Sequence, residues 1–270
     1  MLTNNPFAEL ASSIPPGVMK WFVLLMILCV IGGTIFDVVH KKSAKYFFDM
    51  AKRSEANATK PLEATKASLA MKTIASDVLT SSEFCNPHRR IAHLLGMYGF
   101  VFFVISTLIL VIGMSEGGFW GFVWHFSAWM ICVGGYWFWF FIRVDVSAEG
   151  NSPFRIVRAD MFILSLLGMA TFGLLWSFTQ GSAFGWLCFG LFLLSTVLFG
   201  GVPWSKFAHM FFKPAAAYQK KIAMANGSAM NLPTISRDDP EQQKRHSMEL
   251  LVDAPMDMGL GIKREAPRHH

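Results

Sequence analysis

The sequence predicts an all-α membrane protein built as a bundle of about five transmembrane helices. Only 16% of the residues are charged, whereas a soluble domain usually carries about 25%. Apolar residues make up 53% of the chain, and they lie in long blocks rather than at the spacing of an amphipathic helix or strand. The charged residues lie between these blocks. This pattern excludes a soluble globular domain.

Five apolar blocks meet or nearly meet the roughly 20 helical residues that a bilayer core requires. Each is expected to be a helix, because a backbone inside the bilayer must satisfy its own hydrogen bonds. The blocks are 21–39, 91–114, 119–142, 161–179 and 184–204, the last continuing as an amphipathic segment to 212.

These blocks divide the chain into three regions. An N-terminal segment covers 1–20, a transmembrane domain covers 21–212 with a loop at 40–90, and a tail covers 213–270. The loop is expected either as a helix lying on the membrane or on a partner, or as a solvated linker. The polar end of the tail should be flexible alone and order on a partner.

The basic residues predict the orientation, since cytoplasmic loops are enriched in Lys and Arg. All but one of the 24 Lys and Arg lie in the loop 40–90, the loop 143–158 and the tail from 206 onward. The exception is Lys20, at a helix start. The N-terminus is therefore expected in the periplasm, with the loop and tail in the cytoplasm and the chain in the inner membrane. Topology then explains the net charge of +6 without nucleic acid.

Two histidines lie at matching depths in the predicted bundle. His93 lies about 32 Å from Met114 and His209 about 36 Å from Gly185 at 1.5 Å per residue, a difference of less than one helical turn. Imidazoles from two helices at one level can ligate a haem iron from both sides. The alternative is that each histidine only lies at the membrane interface.

The residues around these histidines suit the same interpretation. Gly96 and Gly99 follow His93 on one helix face, which clears space for a flat macrocycle, although glycines also serve helix packing. Four cations near the interface are candidates to pair with haem propionates. They are Arg89, Arg90, Lys206 and Lys213.

Two segments resemble the nitrate reductase gamma-subunit family of membrane cytochromes b, which includes membrane subunits of heterodisulfide-reductase-like and quinone-interacting (Qmo) complexes. Residues 203–214 read PWSKFAHMFFKP, with the motif P-x-S-K-x-x-H, and residues 87–100 read PHRRIAHLLGMYGF. The resemblance covers about 88–214. It implies an electron-transfer anchor between a cytoplasmic redox enzyme and the quinone pool, with His93 and His209 as ligands of the haem b nearer the cytoplasm.

The sequence departs from this family in two ways. The positions that carry the ligands of a second haem in the family are Phe103 and Leu191 here, so the resemblance implies a single haem. The segment 1–20 contains no cysteine and the chain has no C-x-x-C pair, so no ferredoxin-like domain is expected there. Electrons would come directly from a docked iron–sulfur flavoenzyme, as in the membrane anchors associated with dissimilatory adenylylsulfate (APS) reductase in sulfur oxidisers.

Five residues are candidates for quinone contact or proton uptake. They are Asp37, His40, Tyr98, His125 and Trp204. Ionisable residues within the membrane are functional candidates, but Asp37 and His40 can equally face the interface, Tyr98 and Trp204 can belong to an aromatic belt, and His125 can be a packing residue or a ligand of an atypical second haem.

Three other functions remain open from the sequence. The chain can be the equivalent cytochrome b subunit of another redox complex, or a haem-free structural anchor in which His93 and His209 are incidental. A transporter is disfavoured, because no inverted repeat or pair of broken helices is apparent. No enzyme activity beyond quinone reduction within such a complex is expected.

Overall fold

The computed structural model describes residues 2–40, 43–82, 84, 86–113, 117–144, 152–157, 160–201 and 205–229. The side chains of 37, 43, 44 and 205–211 lie outside the described part. The described residues form helices α1 (Pro6–Leu10), α2 (Pro16–His40), α3 (Ser43–Ala56), α4 (Lys66–Thr73), α5 (Pro87–Ile112), α6 (Phe119–Trp137), α7 (Met161–Phe178), α8 (Ala183–Gly201) and α9 (Ser205–Ala225). Short π-helical turns extend α4 over Ile74–Leu79 and α6 over Phe138–Ile142.

Five of these helices are long and apolar enough to cross a membrane, which confirms the number and the helical nature of the apolar blocks predicted from the sequence. They are α2, α5, α6 with its π-helical turn, α7 and α8. The third predicted block matches Phe119–Ile142 at both ends, whereas α2 begins at Pro16 rather than at 21. Proline suits a helix start because the first backbone N–H has no partner within the helix.

The chain divides into two compact units. The first comprises Met1–Asp37, Ile91–Val144 and Asn151–Ala208, and it contains most of each apolar helix. Its core is aromatic: Trp124 is fully buried, with Phe103 at 5.0 Å and Phe7 at 5.8 Å between ring centroids. Large rings supply much of the packing that holds apolar helices together where lipid offers no hydrophobic drive between them.

The N-terminal segment packs on this first unit. Asn5 caps α1 by accepting from the Phe7 N–H and donates from Nδ2 to the Leu110 carbonyl at 3.3 Å. Gln180 donates to the Pro6 carbonyl, and the Phe7 ring lies 5.5 Å from that of Trp176. Gly121 lacks a Cβ where the backbone of Thr3 and Asn4 approaches. Residues 3–10 therefore cover one end of the bundle.

The turn between α6 and α7 is organised around a buried arginine. Arg143 is 1% exposed, and its guanidinium donates to Ser152 O at 2.7 Å, Arg155 O at 2.6 Å and Asp160 Oδ2 at 2.6 Å. Its Cζ lies 4.2 Å from the Trp139 ring centroid. The three bonds and the ring use the planar fork of arginine in a way that lysine cannot.

The second unit comprises Val38–Arg90, Asp145–Gly150 and His209–His270. Within it, the helices of the loop pack on the C-terminal part of α9. Phe47 stacks on Phe212 at 5.7 Å, and Asn226 donates from Nδ2 to Ser54 O at 3.1 Å. The loop predicted between 40 and 90 is thus largely helical, and its partner is a helix of the same chain.

Candidate functional site

The first candidate haem ligand, His93, is an exposed residue in the second turn of α5. Gly96 follows three residues later and lies on the same helix face. No described atom lies within 4 Å of the position that a Cβ at Gly96 would take. As far as the described residues go, the helix face that carries the imidazole is open beside Gly96.

Gly99, which the sequence grouped with Gly96, has a different role. A Cβ at Gly99 would lie 3.0 Å from Ile131 Cγ1, Met130 Cβ and Ser127 O. These atoms belong to α6, so Gly99 permits close contact between α5 and α6. This is the helix-packing alternative that the sequence left open.

Two of the four candidate propionate cations meet at one aromatic ring in the second unit. Arg89 Cζ lies 5.9 Å and Lys213 Nζ 5.6 Å from the Phe84 ring centroid. Both distances are within the range of cation–π attraction. The ring brings together two positive charges from chain segments that are far apart in the sequence. Such a pair of cations attracts carboxylates or phosphates.

The third candidate, Arg90, is engaged elsewhere. Its Nε donates to the Thr80 carbonyl at 2.7 Å, which ties the start of α5 to the end of the π-helical turn. Arg90 therefore stabilises the junction between the π-helical turn and α5. It serves as a reference for the other two.

The remaining members of the predicted site lie partly or wholly outside the described residues. Lys206 and His209 lie on α9, and Asp37 lies on α2, but their side chains are outside the described part. Trp204 is outside it altogether. On the helix, His209 precedes Lys213 by four residues, the same spacing that separates Arg89 from His93 on α5.

His125 is held by hydrogen bonds at both ring nitrogens. It is 1% exposed, with Nδ1 at 2.7 Å from Gly121 O and Nε2 at 2.7 Å from Ser177 Oγ. The carbonyl can only accept, so Nδ1 carries the proton and Nε2 accepts from the serine hydroxyl. The ring also contacts Trp124 and Phe178. His125 thus packs inside the first unit, and its candidate roles as a quinone contact or as a ligand of a second haem stay predictions.

The two other quinone candidates are placed on helices. Tyr98 is half-buried, and its ring stacks on Phe102 at 6.2 Å. His40 is exposed at the last residue of α2. Neither position excludes contact with a ligand.

A charged network of the second unit was not expected from the sequence. Lys221 Nζ lies 2.5 Å from Asp77 Oδ2 and 2.9 Å from Ser76 Oγ, and Ser82 donates to Asp77 at 2.8 Å. Burial favours the neutral acid, but the hydrogen bonds from Lys221, Ser82 and Ser76 and the lysine charge outweigh it and hold the pKa of Asp77 below its usual value. The network joins the π-helical turn to α9.

The residues present fit a haem in their donor chemistry and in the space at Gly96. Two neutral imidazoles suffice as axial ligands of a b-type haem. In the first unit the open side of Gly96 suits a flat group, and in the second unit the paired cations at Phe84 suit carboxylates. No group of three or more His, Cys, Asp and Glu that could hold a metal ion occurs among the described residues, but a bis-histidine haem does not need one.

Comparison with known proteins gave no match. Neither the protein-family models, nor the curated proteins, nor the solved structures include one that resembles this chain significantly. The resemblance of 88–214 to membrane cytochromes b therefore stays a prediction, as does the assignment of the ligands.

Proposed function

We propose that this chain is the membrane anchor and electron-transfer subunit of a redox complex, passing electrons between a cytoplasmic iron–sulfur flavoenzyme and the quinone pool through one haem b. The observation that carries the proposal is the convergence of Arg89 and Lys213 on Phe84. Each cation lies one helical turn from a candidate ligand, Arg89 from His93 and Lys213 from His209. Each candidate ligand thus has a cation one helical turn away along its own helix, and these two cations lie at one ring of the second unit.

The chain's own residues would perform four tasks in this function. His93 and His209 would hold the iron, and the haem when bound would supply one-electron chemistry. Arg89 and Lys213 would hold its propionates by charge-assisted hydrogen bonds. The contact of Trp124 with Phe103 would hold α5, the helix that carries His93, against α6. The open side of Gly96 would accept the macrocycle without a steric clash.

The partner and orientation follow from the basic residues. We infer that the N-terminus faces the periplasm and that the second unit and the tail lie in the cytoplasm, where exposed lysines such as Lys45, Lys52 and Lys220 would steer an acidic partner. The partner best suited to the sequence is an APS reductase-like flavoenzyme oxidising sulfite and AMP to adenylylsulfate. This two-electron oxidation matches reduction of one quinone to quinol with two protons taken from water.

The full chain purified from its native membrane tests this proposal. A reduced-minus-oxidised optical spectrum should contain the band of a b-type haem, and an iron–sulfur flavoprotein should co-purify. A haem-free sample that still holds a partner would instead identify a structural anchor. A haem-containing sample with a different dehydrogenase or reductase would keep the electron-transfer role and change the partner.

A further inference from the structure

Tyr136, on the outward face of α6, forms a pair of hydroxyls with Thr171 of α7. Every exposed residue of Phe119–Ile142 is aromatic or aliphatic, and Tyr136, which is 40% exposed, is the one among them that carries a hydroxyl. Its hydroxyl lies 2.8 Å from Thr171 Oγ1 on α7, and Cys132 Sγ lies 3.6 Å from the same Thr171 oxygen. A small polar group therefore opens onto a surface that is otherwise apolar.

This hydroxyl lies deep along the apolar helix. Tyr136 lies six residues before Ile142, so its Cα is about 9 Å from that end at 1.5 Å per residue. Side chains on a helix lean toward its N-terminus, which carries the phenol further inward. Its partner Thr171 lies about 15 Å from Met161 and about 10 Å from Phe178, near the middle of α7.

A tyrosine in this position has an energetic cost unless its hydroxyl has partners. Tyrosines of membrane helices concentrate at the water interface, and a hydroxyl in an apolar medium loses free energy when it is not hydrogen-bonded. The bond between Tyr136 and Thr171 uses one of the two O–H donors. Either oxygen can be the donor of this bond. When Thr171 donates, the phenol O–H of Tyr136 has no acceptor among the described residues, and it can donate to one that arrives from the lipid side.

The surface beside the pair suits a flat ring. Tyr136 and Phe140 stack with centroids 6.2 Å apart and an interplanar angle of 17°, and Phe140 is 51% exposed. One turn away in the other direction, Val133 and Trp129 continue the exposed stripe. A planar head group can lie on the aromatic pair while an apolar tail follows the stripe.

The pair also lies close in level to the candidate ligand His93. A Cβ at Gly134 of α6 would lie 2.8 Å from Ala92 O and 3.2 Å from Gly96 N, the residues on either side of His93 in α5. Tyr136 is two residues further along α6, a rise of about 3 Å. All of these residues belong to the first unit.

From these observations, the structure assigns Tyr136 and Thr171 as a binding site for a quinone head group entering from the lipid. The phenol donates to one quinone carbonyl, Thr171 orients the phenol, and the Tyr136–Phe140 wall contacts the ring. The assignment of a quinone, rather than another apolar carbonyl compound, rests on the proposed function. The site itself rests on the exposed hydroxyl pair.

The test uses the full chain in lipid nanodiscs with azido-ubiquinone as a photoreactive probe. Labelling is competed with decylubiquinone and menaquinone-2, and labelled peptides are mapped by mass spectrometry. The variants are Tyr136→Phe, which keeps the stack with Phe140, and Thr171→Val, which removes the partner. Tyr218→Phe, outside the apolar helices, is the matched control, and Tyr98→Phe tests the competing tyrosine.

The site predicts competable labelling on α6 and α7. The concentration of azido-ubiquinone that gives half-maximal labelling should rise about tenfold in Tyr136→Phe. This is the loss of affinity expected when one hydrogen bond is removed in an apolar site. It should also rise in Thr171→Val and stay unchanged in Tyr218→Phe and Tyr98→Phe. Labelling elsewhere, a dependence on Tyr98 instead, or no competable labelling would overturn the site.

This binding experiment is separate from the electron-transfer proposal because it needs no haem and no electrons. Loss of the site with a b-type spectrum intact would leave the proposed function standing with its quinone bound elsewhere. Binding that depends on Tyr136 in a chain with no haem would keep the site and remove the electron carrier.

Discussion

Arg143 Nη2 lies 2.6 Å from Asp160 Oδ2 at the turn between α6 and α7, and only 2% of the arginine side chain is exposed. The same guanidinium donates to two backbone carbonyls, those of Ser152 and Arg155. A single side chain thus joins the end of α6 to three residues that precede α7, namely Ser152, Arg155 and Asp160. Loss of either charged partner leaves the other with hydrogen bonds to the backbone but without an opposite charge in a largely buried place.

Replacing Arg143 should therefore destabilise the first unit strongly. Arg143→Ala is expected to cost about 3 kcal/mol or more, the range for a broken buried pair. Arg143→Lys should be only a partial rescue, because an ammonium cannot make the same planar set of bonds. The thermal unfolding midpoint in detergent measures this. Arg155→Ala, which removes an exposed side chain and leaves its carbonyl in place, should shift the midpoint little; equal shifts in both variants would contradict the assignment.

The second unit should lose stability in acid through Asp77. Its pKa is lowered in the folded chain by Lys221, Ser82 and Ser76, so the ionised form stabilises the fold above the unfolded value of about 3.9. This contribution is lost as the pH falls through the lower folded value. Asp77→Asn should remove it at neutral pH, at a cost of about 2 kcal/mol for bonds to a charged group.

Hydrogen exchange of residues 66–82 measures the effect of Asp77→Asn. Glu55→Gln is the control, because the Glu55–Lys66 pair is more than half exposed and should matter little. In Asp77→Asn, the protection of residues 66–82 from exchange should be lower at pH 7 than in the wild type. It should also change less than in the wild type when the pH is lowered. Protection that falls with acid equally in wild type and Asp77→Asn would show that another group controls this segment.

The cations at Phe84 should raise the potential of a haem held nearby, because positive charge favours the reduced form, which carries one negative charge more. Replacing both Arg89 and Lys213 with Gln is expected to lower the midpoint potential by about 40 mV, which equals roughly 1 kcal/mol for one electron. A spectroelectrochemical titration measures it. Arg90→Gln is the matched control because that guanidinium donates to Thr80 instead; a potential that falls only in this control would place the propionates elsewhere.

The sequence predicts the membrane helices well because their signal is local. Blocks such as 119–142 exceed the length that a bilayer needs, and the ends of this one match the structure. Helix α1 is not among the helices predicted from the sequence, although Asn5 and Pro6 form a typical cap and first residue of a helix. What it does not give is the contact of Phe7 with Trp176, because nothing in a single segment specifies its distant partner.

The same limit applies to the candidate site. The spacing of Arg89 from His93 and of Lys213 from His209 is readable in the sequence, but the meeting of the two cations at Phe84 is not. An arginine at the end of an apolar block is typical of positive-inside topology. The sequence therefore gives no reason to expect that Arg143 is buried. Tyr136 lies within an apolar block, and neither its exposure nor its bond to Thr171 can be inferred from the sequence of that block.

The most direct test of the central claim is the haem content of three histidine variants purified as full-length chains. Pyridine haemochrome assays on His93→Ala, His209→Ala and His125→Ala, normalised to inserted protein, should give a loss of haem b in the first two. His125→Ala should retain it, since that ring is held by Gly121 and Ser177. Full haem content in His93→Ala or His209→Ala, with membrane insertion intact, would contradict the account.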